Sequence, residues 1–209
     1  MQKQFNNSIK IAKSIDVHAH AVLDQSMGAA GEHGPELIET EGQPSLFRVG
    51  GYELHGVKYR DSAFMDVNKR IARMSTAGIE FQVLSPNPLT YFHYIDAPSA
   101  ISFCKRHNDV LVELVKQHPD KLAGFAALPM QDIPAACDEL RRAVTELGLL
   151  AAYIGTDIGQ PLDGAALDPL YETCVKLNVP LFIHPAPAGI DGPPGDPNLS
   201  RFDLALTTG

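Results

Sequence analysis

The stretch Ser14-Ile15-Asp16-Val17-His18-Ala19-His20 decides how the rest of the chain is read. Its apolar start runs into polar residues, so it reads as a short buried strand whose C-terminal end carries histidines. Residues i and i+2 of an extended chain share a face, which lets the imidazoles of His18 and His20 converge on one ion. The plain alternative is a pair of strand-end residues hydrogen-bonded to neighbouring loops.

Downstream of this strand, helical periods and apolar runs alternate. Residues 65–77 place Met65, Ile71 and Met74 at helical spacing, Gly78 follows as a C-cap, and 79–84 reads as a second strand. Residues 98–118 repeat Ile101, Val110, Leu111, Leu114 and Val115 on one helical face and stop at Pro119, after which 122–128 is a third strand. A helix over 133–147 closed by Gly148, a fourth strand over 149–154, a helix over 167–177 and a fifth strand over 179–183 complete the series. The fold class expected is α/β with parallel strands and right-handed crossovers, either an open sheet or a barrel. No G-x-G-x-x-G follows the first strand, which argues against the nucleotide-binding open sheet.

The fifth strand ends at His184, the place equivalent to His18 and His20 in the first. Barrel enzymes keep their functional groups at these C-terminal strand ends. Three neutral imidazoles there make a ligand set suited to a divalent metal, zinc or a similar transition ion. The alternative for His184 is a core histidine satisfied by its neighbours. Asn87, Tyr91 and His93 follow the second strand and could line the same mouth, although a loop of aromatic and amide residues also serves plain packing. Asp157 is placed similarly after the fourth strand.

Residues 21–62 are rich in Gly, Pro and Glu without a sustained period, and a connection that long usually has a functional job. Within it, 52–59 suggests a small hairpin around His55-Gly56. Cys104, Cys137 and Cys174 stand far apart without a C-x-x-C pair, so neither a disulfide framework nor a thiolate zinc site is encoded, and buried thiols are expected. With 17 basic against 25 acidic side chains and a net charge of −8, the chain lacks the cationic cluster that a nucleic acid partner requires. No apolar run reaches the roughly 18 residues of a membrane span and no signal peptide is visible, so no membrane partner and a cytoplasmic location are expected.

Four segments together resemble the amidohydrolase-2 branch of the amidohydrolase superfamily, and within it the decarboxylases of carboxymuconate-type and aromatic acids. They are Ile15 to His20, RIARMSTAGIEFQVLSPNP at 70–88, LAGFAALPM at 122–130 and LFIHP at 181–185. The resemblance implies a TIM-type (β/α) barrel, of which this chain supplies about the first five strand-helix units as a single incomplete domain over 1–209, with a long loop insertion at 21–62. It also implies metal ligands at His18, His20 and His184, no organic cofactor, and a small carboxylic acid as substrate. Arg60, after the long loop, falls where a substrate-carboxylate arginine is expected, since a planar guanidinium grips a carboxylate through two parallel hydrogen bonds. A solvated surface charge is the alternative. The reaction implied is metal-dependent loss of carbon dioxide, with hydrolysis or hydration as the runner-up and a non-catalytic remnant or assembly module as the third reading. The acid-base residues of the pattern, at the ends of the sixth and eighth strands, would fall beyond Gly209. An open five-strand arc leaves an unpaired edge, so the chain is expected to be truncated or completed by a partner chain, and a homo-oligomer is a further open expectation.

Overall fold

The computed structural model describes residues 11–91 and 93–184. The segment that sequence reading takes as a Pro/Gly-rich loop and a further helix start, after His184, lies outside the described residues. Strand β1 (Ile15–Ala21) is followed by a small antiparallel sheet of β2 (Glu36–Ile38), β3 (Leu46–Val49) and β4 (Tyr52–His55). Helix α1 (Val67–Ala77), strand β5 (Phe81–Pro86), helix α2 (Ala97–Lys116) and the short strands β6 (Leu122–Gly124) and β7 (Ala126–Ala127) come next. Helix α3 (Ile133–Arg142), β8 (Ala152–Gly155), α4 (Asp168–Leu177) and β9 (Leu181–His184) end the series.

Every crossover between the long-range strands carries a helix, and every such pair is parallel: β1 with β5, β5 with β6, β7 with β8, and β8 with β9. The expected third strand is divided at Phe125. Its first half hydrogen-bonds β5, and Phe125 N–H donates to Leu84 O at 2.8 Å. Ala126 N–H then turns to Ala151 O, also at 2.8 Å, so the division hands the sheet on from one neighbour to the next. All residues of β5 and β8 are buried, as expected of parallel strands covered on both faces.

The helices begin and end for local reasons. Asp66, Asp96 and Asp132 accept N–H groups of the first turns of α1, α2 and α3, and Gly78 closes α1 in the left-handed region at φ 71°. The helix expected over 133–147 is α-helical only to Arg142, then widens into a π turn at Ala143–Leu147 before Gly148. Helix α2 lies close on the sheet: a Cβ at Gly124 would meet Leu111 Cδ2 at 2.7 Å. Phe81, Leu84, Leu111, Leu122, Leu140 and Leu149 form part of the core between sheet and helices, each fully buried and contributing about 1.5 to 3 kcal/mol.

The insertion over 21–62 is more ordered than a plain loop. Its sheet packs Phe47 and Val49 against Phe103 and Cys104 of α2 in a second core cluster, and Glu36 pairs with Arg48 across β2 and β3 at 2.8 Å. The hairpin expected over 52–59 around His55-Gly56 does not form: the chain leaves the sheet after His55, and Tyr52–His55 is instead the second arm of a hairpin with Leu46–Val49, whose turn is Gly50-Gly51. Gly50 is required there, because its φ is 56° and a Cβ would come within 2.5 Å of Tyr94 Oη. All three cysteines are buried and free. Among the described residues no helix is long and apolar enough to cross a membrane.

Candidate metal centre

Strand β1 reaches its functional end through an irregularity. Its register with β5 shifts between Asp16 and Ala19, so the His18 peptide leaves the regular ladder. The Asp16 carboxylate takes up the freed His18 N–H at 2.9 Å. Beyond the shift, His20 pairs with Ser85, and four strands away His184 pairs with Gly155 at the same end of the sheet.

The three histidines meet there. His18 Nε2 lies 3.2 Å from His20 Nε2 and 3.0 Å from His184 Nε2, and one nitrogen from each ring falls within 4.8 Å of the others. The rings stand edge to face, with centroids 4.9 to 5.0 Å apart. Two nitrogens bound to one tetrahedral zinc at about 2.0 to 2.1 Å are roughly 3.3 Å apart, so the cluster has the dimensions of a coordination edge.

The tautomer of His20 follows from its partners. Its Nδ1 is 3.0 Å from Pro86 O, which can only accept, so Nδ1 carries the proton and Nε2 keeps a lone pair turned to the cluster. Ser85 Oγ also lies 3.0 Å from that Nδ1. Burial, with His184 next in weight, pushes the His20 imidazole down to about 4, so it is neutral near pH 7, as a ligand must be.

Below the histidines, Phe125, Tyr153 and Phe182 stack as neighbouring rungs, Tyr153 and Phe182 at 4.9 Å between centroids. Tyr153 lies 6.0 Å from the His20 ring and 5.6 Å from that of His184. Burial pushes its phenol up to about 12, with the neighbouring Tyr91 and Ser85 opposing. It therefore stays protonated across the ordinary pH range.

The other candidates divide. Tyr91 stands beside the cluster, its ring 5.9 Å from His184 and 5.7 Å from Tyr153. Asn87 is buried and spends its carbonyl on capping the turn at Leu89 N–H, with its amide 3.4 Å from the Tyr59 hydroxyl. His93 packs against Tyr94 and against Gly159 of the loop after β8. Asp157 is buried in that same loop, its carboxylate 3.5 Å from Gly159 N–H. Arg60 is half exposed and engages Glu39 at 2.7 Å and Asp24 at 3.3 Å.

Sequence reading missed a second set of groups. Arg70 on α1 is buried, and its guanidinium donates to His20 O at 2.6 Å and to Gln82 Oε1 at 2.7 Å. Gln82 Nε2 in turn donates to Asp16 Oδ2 at 2.7 Å. Burial pushes the Arg70 guanidinium down to about 10, with Asp16 opposing, so it remains a cation at neutral pH. One signal was available: Arg70 and Met74 are four residues apart, hence on one helical face, and Met74 belongs to the apolar series Met65, Ile71 and Met74.

The chain is similar to several known proteins. The 2-amino-3-carboxymuconate-6-semialdehyde decarboxylase of Dictyostelium discoideum is 34% identical over 126 residues, 60% of this chain and 35% of that protein. The gamma-resorcylate decarboxylase of a Polaromonas species is 37% identical over 132 residues, 59% of this chain and 40% of that protein. The crystal structure of a dihydroxybenzoic acid decarboxylase from Polaromonas, with bound manganese and the inhibitor 2-nitroresorcinol, superposes with a TM-score of 0.64 at 27% identity, covering 83% of this chain and 49% of that one. The chain thus spans little more than a third of these curated relatives and about half of the solved structure. The parallel strands, the helical crossovers and these likenesses give a TIM-barrel-type fold. A family model described as Amidohydrolase matches residues 15–204, and the chain belongs to that family, in its amidohydrolase-2 branch.

Proposed function

We propose that this chain carries the metal-binding part of a metal-dependent carboxy-lyase that acts on a small unsaturated or aromatic carboxylic acid. In this reading residues 1–209 form one domain supplying the first five strand-helix units of the barrel. His18, His20 and His184 hold one divalent transition ion. The observation that carries the proposal is the convergence of their nitrogens: His18 Nε2 lies 3.2 Å from His20 Nε2 on its own strand and 3.0 Å from His184 Nε2 on β9, 166 residues away. A donor set of neutral imidazoles supports zinc, and the manganese in the Polaromonas relative supports a divalent ion of that size.

When bound, such an ion supplies positive charge that orients an anionic substrate and stabilises charge developing in the reaction. The chain's own residues fix the geometry. Pro86 O and Ser85 hold the His20 ring in one tautomer. The partly buried Tyr91 ring, beside His184, is assigned to contact with a planar acid, and the stack of Tyr153, Phe125 and Phe182 forms an apolar floor. Arg60 is assigned to the substrate carboxylate.

Carbon dioxide release from 2,6-dihydroxybenzoate and from carboxymuconate-type acids, measured with the zinc- or manganese-loaded protein and again after chelation, tests the proposal. Release that stops on metal removal supports it. Turnover of these acids without carbon dioxide moves the assignment to hydrolysis or hydration.

A further inference from the structure

We propose that Arg70, acting with Gln82 and Asp16, is a positioning residue for the metal centre: a clamp that grips the His18-Ala19-His20 segment at both ends and sets the convergence of its imidazoles. The inference rests on the reading of the three histidines as ligands. At one end, the Asp16 carboxylate holds His18 N–H at 2.9 Å, inside the register shift where β1 departs from its ladder with β5. At the other, Arg70 holds His20 O at 2.6 Å. Gln82 joins the two ends, accepting from Arg70 at 2.7 Å and donating to Asp16 at 2.7 Å.

Two physical points separate this arrangement from an ordinary tie between helix and sheet. A shifted register removes the backbone bonds that would otherwise define where His18 sits, so side chains must define it, and a ligand pair misplaced by a fraction of an ångström loses coordination geometry. A buried cation next to a cation site is also costly unless its charge is balanced. The Asp16 carboxylate provides that balance through Gln82, so the clamp can grip a carbonyl strongly without repelling the ion. Lysine can replace the charge of Arg70 but not two divergent bonds from one planar group.

The test is metal affinity of the full chain, measured by competition with a chromophoric chelator for Zn²⁺, together with the absorption spectrum of the Co²⁺ form and thermal unfolding of the metal-free protein. Arg70→Gln and Gln82→Met are expected to weaken Zn²⁺ binding on the order of 10- to 100-fold and to alter the Co²⁺ spectrum, the usual effect of removing a group that orients a ligand. Arg70→Lys should recover thermal stability more fully than it recovers affinity. If Arg70→Gln does not fold, Gln82→Met carries the same test from the sheet side. Wild-type affinity and spectrum in a variant that merely melts earlier would reduce the clamp to a structural tie and overturn the proposal. His184→Ala is the control: loss of binding there with none in the clamp variants refutes the clamp alone, and unchanged binding in His184→Ala refutes the metal centre itself.

Discussion

The Nε2 atoms of His18 and His184 lie 3.0 Å apart although 166 residues separate them in sequence. Two imidazole nitrogens at this distance can share at most one proton between them. A third ring, His20, points at the same place. Such a concentration of basic nitrogen is stabilised by a cation, and the parallel sheet brings it about by ending β1 and β9 on the same side.

His184→Ala should therefore lower bound zinc or manganese by roughly tenfold or more, because the remaining pair no longer encloses the ion and water replaces the lost ligand without its geometry. Elemental analysis after dialysis checks this directly. Metal content equal to that of the wild type would remove the centre from consideration.

His107 on α2 predicts an acid-sensitive fold. The side chain is buried against Phe103, and burial pushes its imidazole down to about 4 from an ordinary 6.5. Between those two values the unfolded chain binds a proton that the folded chain refuses. The stability associated with neutral His107 is thus complete above pH 6.5 and is lost as pH falls toward 4, by about 3 kcal/mol. Urea midpoints at several pH values should fall more steeply in the wild type than in His107→Leu. Equal slopes would show that the site takes up protons freely.

Asn108 replaces missing sheet at the point where the third strand divides. Its amide donates to Ala127 O at 3.0 Å and to Glu139 Oε1 at 2.7 Å, while its carbonyl accepts Ala127 N–H at 2.8 Å. Asn108→Ala leaves a buried peptide without these bonds and takes one donor from a buried carboxylate, and should cost about 2 to 4 kcal/mol in urea denaturation. Asn108→Asp should cost more, because it sets a second carboxylate against Glu139. A loss below 1 kcal/mol in both would mean that water enters and serves Ala127 instead.

What the sequence disclosed and what it hid have separate physical causes. His18 and His20 were legible because extended chain has a strict period of two, and His184 because every strand before it ends on the same side once the crossovers are helical. Gly78 and Gly148 marked helix ends because their left-handed backbone is a local property. The division at Phe125 was hidden, since an apolar run buried on both faces carries no mark of which neighbour it bonds. The turn at Gly50-Gly51 competed with an equally turn-like His55-Gly56, and the close approach of Tyr94 that fixes the choice comes from a distant loop. The clamp of Arg70 was least legible, because a buried guanidinium is explained only by partners on β1 and β5 that adjoin it after folding.

Arg60 provides the remaining test, and it bears on the substrate. Its guanidinium is half exposed between Glu39 and Asp24, which raise its affinity for the proton through hydrogen bonding and charge and so keep it cationic at any working pH. Both carboxylates belong to the segment between β1 and α1, as Arg60 itself does. A substrate carboxylate would have to compete with them, and a planar fork can exchange one carboxylate for another while keeping two parallel bonds. An ammonium cannot. Arg60→Ala should therefore raise KM for carboxylate substrates on the order of tenfold or more, and Arg60→Lys should fail to restore it. Thermal stability should change little in either variant, as is usual for exposed ion pairs. Carbon dioxide release from hydroxybenzoate-type and muconate-type acids, followed in the wild type and both variants, decides the matter. A KM unchanged in all three proteins would return Arg60 to the solvated surface and leave Tyr91, whose ring adjoins His184, as the substrate-binding candidate.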